Sequence, residues 1–542
     1  MPALIPRPAV AHRGPGALRP PAGTPWRISA SAPGFRTAAE TVRDLLAPHL
    51  GGRLSVRGGA DQAHGPVLLL TDEDAPDEPR RPVGVAPIGE SAPPDESYAL
   101  TVDDTGIVCR ARTPAGALRA ATAAAQLLIT TPPGEPLPHQ QLRDGPHFAW
   151  RGLMLDPART FLPPADLRRL IDVAALYRLN VLHLHLTDNE GWRLQIPGLP
   201  GLTPQRSGRD RDYYTVDEYR DLQSYAAARH ITLIPEIDLP GHCAALRRAL
   251  PGLPPAPAPE GLRGRFPFTP PLDLADGATR AAVSTVLAEV CALTDGPFVH
   301  IGGDEALGIT DTAFAHAVTE LRSLVREFGK RPVAWQEASR AGIEPGDILQ
   351  HWVDVAMMDL PDTPEELRAS PHLAASGHGL EFFGALKRFF GPTDHDVRRI
   401  LDGGGQVLLS PQSHLYLDRR YAPETLPDEL RPTLGDLGFA TYRPRSTAYT
   451  AQWDPAAHGI PADRVAGVEA TLFAEEMTGF EDISTLLLPR LAGVAEVAWS
   501  GRAPLWSDHR DRLAAHARWW AERGLPYAPT TDVPWTGEHA RR

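Results

Sequence analysis

Apolar positions from residue 148 onward gather into eight short runs, at 149–155, 181–186, 231–237, 298–301, 333–336, 348–352, 407–410 and 465–472. Each reads as a strand. Between most of them the spacing changes to a helical period, for example over 164–177, 216–229 and 312–328. Strand–helix alternation repeated eight times predicts an α/β fold, a (β/α)8 TIM barrel. A doubly wound sheet would want a glycine-rich phosphate turn after an early strand, and the chain has none.

The preceding stretch, 1–147, reads as a separate small α+β domain. Residues 38–50 are helical by period, 66–70, 97–101 and 106–111 read as strands, and 113–129 as an alanine-rich amphipathic helix. The segment 131–136, Thr-Pro-Pro-Gly-Glu-Pro, is a linker by composition. No catalytic cluster occurs before residue 148, which points to a scaffold role. The barrel is expected over 148–525, with an insertion at about 355–393, and 526–542 as a C-terminal tail.

Composition narrows the partners. The chain has 542 residues and a formal net charge of −13, which argues against nucleic acid and anionic membranes. No run of about 18 apolar residues is present, so no membrane span is expected. The first thirty residues are broken by prolines and lack the apolar core of a signal peptide, so a cytoplasmic location is expected. Three cysteines, Cys109, Cys243 and Cys291, match neither a disulfide framework nor a zinc site.

In a barrel the chemistry sits where the strands end. Those ends are rich in carboxylate and indole: Asp156 and Arg159, Asp188, Glu236 with Asp238 and His242, Asp304 with Glu305, Trp335 with Glu337, Trp352 with Asp354, Tyr416 with Asp418, and Phe473 with Glu475. Such a lining suits a neutral, hydroxyl-rich ligand such as a sugar. The centre is Phe298-Val299-His300-Ile301-Gly302-Gly303-Asp304-Glu305-Ala306, where two glycines bring the backbone close to a cleft and two carboxylates follow. His183 and His185 precede their strand end and read as interior packing rather than metal ligands. No metal and no cofactor is expected.

Four segments in order, 151–159 (RGLMLDPAR), 183–188 with 191–193 (HLHLTD, GWR), 235–242 (PEIDLPGH) and 300–305 (HIGGDE), closely resemble glycoside hydrolase family 20, the β-N-acetylhexosaminidases. The resemblance covers roughly 148–525, and the preceding domain looks like the small domain that commonly precedes that barrel. It implies exo-acting hydrolysis with the substrate's 2-acetamido oxygen as nucleophile, family 20 being a recognised exception to the two-carboxylate arrangement. It further implies Glu305 as general acid and base and Asp304 orienting the acetamido N–H. Tyr416 would bond the acetamido oxygen. Asp238 and His242 would form a supporting pair, and Arg159, Asp188 and Glu475 would hold ring hydroxyls. Trp335 and Trp352 match two tryptophans of the family's acetamido pocket, and Asp418 joins the substrate-binding set. Three departures stand out: Phe473 replaces the third tryptophan, Thr160 follows Arg159 where histidine is usual, and the 355–393 insertion is extra. Its aromatic segment, 379–390 (GLEFFGALKRFF), is expected either to cover the pocket or to form a homodimer interface. A catalytically silent sugar-binding barrel and an acetamido-sugar transferase are the competing functions.

Overall fold

The computed structural model describes residues 2–20, 24–50, 54–58, 66–76, 82–89, 92–132, 134–204, 211–258, 269–375 and 377–535. Its first part is a seven-stranded mixed sheet: β1 (Val10–Leu18), β2 (Trp26–Ala30), β3 (Leu54–Gly58), β4 (Val67–Thr71), β5 (Tyr98–Asp103), β6 (Gly106–Ala111) and β7 (Leu137–Asp144), in the order β1-β7-β5-β6-β4-β2-β3. β4, β5 and β6 are the expected strands. The other four lack an apolar run; β7, for instance, is Leu-Pro-His-Gln-Gln-Leu-Arg-Asp. Residues 131–136 are not a linker. The described residues 131, 132 and 134–136 lie between the helix Pro114–Thr130 and β7 of the same sheet, proline and glycine marking a reversal as well as a boundary.

The Pro114–Thr130 helix starts at a Thr113 cap, whose hydroxyl accepts from the Gly116 amide at 3.0 Å. It is buried nearly all round, between the Arg36–Leu50 helix, the sheet and the barrel, which accounts for its alanines. Gln126 at its buried end accepts from the Ile5 amide and donates to the Leu176 carbonyl. Buried charge joins the two parts. Glu96 accepts from Arg119 at 2.6 Å and from Arg151 of the first barrel strand at 2.7 Å. Asp144 takes Arg178, Trp499 and Tyr98.

The barrel is closed and parallel throughout: β8 (Trp150–Leu155), β9 (Val181–His185), β10 (Thr232–Glu236), β11 (Phe298–His300), β12 (Arg331–Trp335), β13 (Ile348–His351), β14 (Gln406–Leu409) and β15 (Val465–Leu472), with β15 pairing back to β8. Each expected run is one of these strands. Each strand gives one side chain to a single buried layer: Trp150, Val181, Ile234, Phe298, Val333, Ile348, Leu408 and Ala466. Val85 of the first domain packs into that layer, and its amide bonds the Ala466 carbonyl at 2.9 Å. The apolar layer closes one end of the barrel, so the polar side chains collect at the other. Residues 526–535, expected as a tail, pack onto the barrel: Ala528 N–H bonds the Leu488 carbonyl, and Trp535 meets Tyr527 and Trp520.

Candidate active site

β11 runs into Gly302 and Gly303, with φ of +68° and +95°. Any Cβ on Gly302 would sit 1.7 Å from an Asp238 oxygen, so the glycine is what lets the two strand ends meet. The Gly303 amide then donates to that oxygen at 3.0 Å, and Asp304 is carried alongside Asp238. Glu305 follows with φ of +39°, a costly conformation for a residue with a side chain and one held by its surroundings.

Ten of the twelve expected site residues line one cavity of about 280 Å³: Arg159, Asp188, Asp238, His242, Asp304, Glu305, Trp352, Tyr416, Phe473 and Glu475. At the small end of ligand sites, it suits about one sugar ring. The other two lie just beneath. Trp335 is buried, its ring 6.2 Å from Phe473 and 5.1 Å from His300. Asp418 is buried with one oxygen unpartnered. Trp352 stacks on Tyr416 at 6.2 Å, and the Tyr416 ring lies 5.5 Å from Phe473. Aromatic rings and the charged groups of Arg159, Asp304 and Glu475 line the cavity together, the Arg159 guanidinium lying 5.4 Å from the Phe473 ring centre. One oxygen of Asp304 is buried without a partner in the protein, as is Nε2 of His242.

The family profile described as "Glycosyl hydrolase family 20, catalytic domain" matches residues 148–364 and 390–502, and "Glycosyl hydrolase family 20, domain 2" matches 1–145. A β-N-acetylhexosaminidase of Cellulomonas fimi is 33% identical over 99% of this chain and 97% of its own length. The chain belongs to glycosyl hydrolase family 20. Among solved structures, a family-20 β-N-acetylglucosaminidase is 30% identical, covering 99% of this chain and all of that one with a TM-score of 0.75. The Streptomyces plicatus N-acetyl-β-hexosaminidase, solved with Thio-NAglucal, is 29% identical over 98% of each chain with a TM-score of 0.76. This family-20 protein is a glycoside hydrolase, an exo-acting β-N-acetylhexosaminidase using the retaining, substrate-assisted route typical of its family.

The enzyme's site is held by a line of alternating charges through the barrel. Glu469 accepts from Trp150, Gln350 and His183 Nδ1. His183 Nε2 lies 3.2 Å from Glu236. Glu236 accepts from His185 Nδ1 at 2.6 Å and from the Trp335 indole at 2.7 Å. His185 Nε2 donates to Asp188 at 2.8 Å, and Asp188 also takes Arg159 at 2.8 Å and His242 at 3.1 Å. His183 and His185 are thus interior, but as links in an ion-paired line rather than as apolar packing.

Two expected roles change with this geometry. Asp188 was expected against a ring hydroxyl, yet its oxygens are occupied by Arg159, His185, His242 and the Asn189 amide. His242 was expected to pair with Asp238; their closest atoms are 3.9 Å apart, and its hydrogen bond goes to Asp188. Four groups of three His, Asp and Glu come within 4.8 Å of one another among the described residues, and all four belong to this same line or to its Asp304–Glu305 end.

Burial and charge set the protonation. Burial pushes His242 down, but Asp188 and then Asp304 outweigh it and hold the imidazole up at about 9. The same contest, with Glu469 as the opposing charge, leaves His183 at about 9. Asp188 sits well below the usual range, since His242 and Arg159 overcome its desolvation. Asp304 is raised by burial and by the nearby Asp238, which is itself raised by burial and by Glu236. Glu475 is pushed up to about 7 by desolvation against the pull of Arg159.

Several further residues contribute to the site. Glu236 holds Trp335, and Glu337, a buried carboxyl raised by desolvation and by Asp304, accepts the Trp352 indole N–H. Both were visible as strand-end residues without an assigned task. Phe439 and Tyr442, from the long loop after β14, line the cavity in a stretch with no periodic signal. Thr160 at the histidine-replacing position bonds the Ala474 and Met477 carbonyls, tying the end of β8 to the loop after β15.

Proposed function

We propose that Glu305 is the general acid that protonates the leaving oxygen and then the base that activates water, with Asp304 holding the 2-acetamido N–H. The observation that carries this reading is the single cavity that Asp304, Glu305 and Tyr416 line together. An amide N–H placed there sets the acyl group among Trp352, Tyr416 and Phe473, with Trp335 as floor. The Tyr416 hydroxyl, kept neutral by burial, donates to the acyl oxygen and aims it at the anomeric carbon. As positive charge develops on the oxazolinium ring, Asp238, raised by burial and by Glu236, keeps its proton, and Asp304 carries the balancing charge.

Arg159, Glu475 and Asp418 bind the ring hydroxyls of a terminal N-acetylglucosamine or N-acetylgalactosamine. The S. plicatus β-hexosaminidase solved with its product GlcNAc, 28% identical with a TM-score of 0.74, supports this substrate. Asp188 holds Arg159 and His242 in place. Among the described residues no helix is long and apolar enough to cross a membrane. Cytoplasmic residence extends that statement, and the three unpaired, buried cysteines are consistent with it.

Glu305→Gln tests the assignment. Turnover of the disaccharide chitobiose should fall by about 10²–10⁴-fold, the usual cost of losing a general acid, while an activated nitrophenyl leaving group suffers less. Equal losses on both substrates would remove Glu305 from the acid role.

A further inference from the structure

The family-20 profile stops at residue 364 and resumes at 390, so the segment between lies outside the pattern common to the family. It is not an outlying loop. The helix Leu380–Phe390 buries Phe383 and Phe390, Phe390 meets Trp352 edge-on at 5.7 Å, and Lys387 pairs with Asp362 at 2.7 Å. The helix therefore stands over the sugar cavity.

Every side chain that 358–390 contributes to that cavity is apolar: Met358, Leu360, Phe382, Phe383, Leu386 and Phe390. Phe439 and Tyr442 line the same cavity. Phe382 remains 40% exposed, whereas Tyr416 and Trp335 below are buried, so this apolar collar is the outer part of the cavity. A sugar held by the inner groups directs its leaving group outward past Glu305 and against the collar. A second sugar there would bring hydroxyls against a wall whose insertion side offers no hydrogen-bonding side chain, and desolvating them unpaired is costly.

We propose that the insertion builds an apolar leaving-group subsite, which selects N-acetylhexosaminides carrying an alkyl or aryl aglycone over chito-oligosaccharides. Phe382 and Leu386 are its specificity-determining residues. The inference rests on the sugar reading of the inner cavity. Phe383 and Phe390 are buried within the chain, and Phe382 and Phe389 are the helix's two exposed phenylalanines.

Alkyl 1-thio-β-N-acetylglucosaminides, which resist hydrolysis, isolate binding from turnover. Calorimetric Kd is measured for the methyl, butyl and hexyl members with the full-length enzyme. A fully buried methylene is worth about fourfold in affinity. Against a half-exposed collar about twofold is expected, or roughly 30-fold from methyl to hexyl. Phe382→Ser and Leu386→Ser should each flatten that dependence, and chitobiose thioglycoside should bind no better than the methyl compound. A wild-type Kd that does not change with chain length overturns the proposal, as does a slope that survives both substitutions. Methyl binding without a chain-length slope sinks the collar alone; no binding at any length sinks the sugar reading with it. A dimer-to-monomer change in the variants, seen by native mass with the slope unaltered, would assign the helix to a second copy instead.

Discussion

Glu236→Gln removes one charge from the centre of the line that supports the site. Glu236 is fully buried, accepts from Trp335 at 2.7 Å and His185 at 2.6 Å, and lies 3.2 Å from His183 Nε2. A glutamine keeps the volume but offers one acceptor oxygen, and its amide N–H₂ must then face a donor. Breaking a buried charge pair by changing one partner costs about 3–5 kcal/mol. With an unfolding entropy of about 2.1 cal/mol/K per residue, a barrel of roughly 380 residues should lose roughly 4–6 °C in Tm. The kinetic loss should run through Trp335, the floor of the acyl pocket; a displacement of about 1 Å in a positioning group costs on the order of 10²-fold. Thermal melting and steady-state hydrolysis of nitrophenyl N-acetylglucosaminide are measured for Glu236→Gln, Trp335→Phe and the double variant. Trp335→Phe deletes the indole donor, so the two activity losses should be far less than additive. A single variant within about 1 °C and twofold of wild type would refute the line as a support, and full additivity would refute its action through Trp335.

Stability should fall as pH rises through neutral. His183 and His242 are held up at about 9 in the folded enzyme against an ordinary value of about 6.5. The unfolded chain releases those protons first, so their contribution is complete below about 6.5 and is lost as pH climbs through about 9. Tm should decline across that window, less steeply in His242→Asn, and a flat profile would contradict the assigned charges. Phe473 should give the acyl pocket slack, because a phenyl ring fills less space than the family's indole. Phe473→Trp should lower kcat/KM for N-propionyl relative to N-acetyl substrate by at least about tenfold, the usual discrimination of one methylene in an apolar pocket. An unchanged ratio would show that this side chain does not face the acyl group.

The barrel was legible because its strands are mostly apolar runs, each followed by a polar or aromatic strand end, and a run such as 298–301 has little alternative to burial. The first domain was half legible. β5 and β6 carry apolar residues, whereas β1 is mostly exposed and β7 is largely polar, so neither has an apolar run to find. At the site, Asp304 and Glu305 stand out through the two glycines before them. Which oxygen each donor fills depends on distances of a few tenths of an ångström between strands far apart in sequence, so the Asp188–His242 bond and the Glu236–Trp335 clamp needed coordinates. The insertion showed its apolar character in the sequence. That Phe383 and Phe390 turn inward while Phe382 and Phe389 stay partly exposed did not follow from the run of phenylalanines alone.

The central claim is that the substrate's own acyl oxygen attacks the anomeric carbon while Asp304 and Glu305 assist. Aryl N-acetyl-β-glucosaminides carrying zero, one, two or three fluorines on the acetyl methyl group test it most directly, since each fluorine drains electron density from that oxygen and changes little else. The account predicts that kcat/KM falls steeply and progressively along the series. A rate that is insensitive to fluorination would mean that an enzyme carboxylate, not the acetamido group, forms the bond.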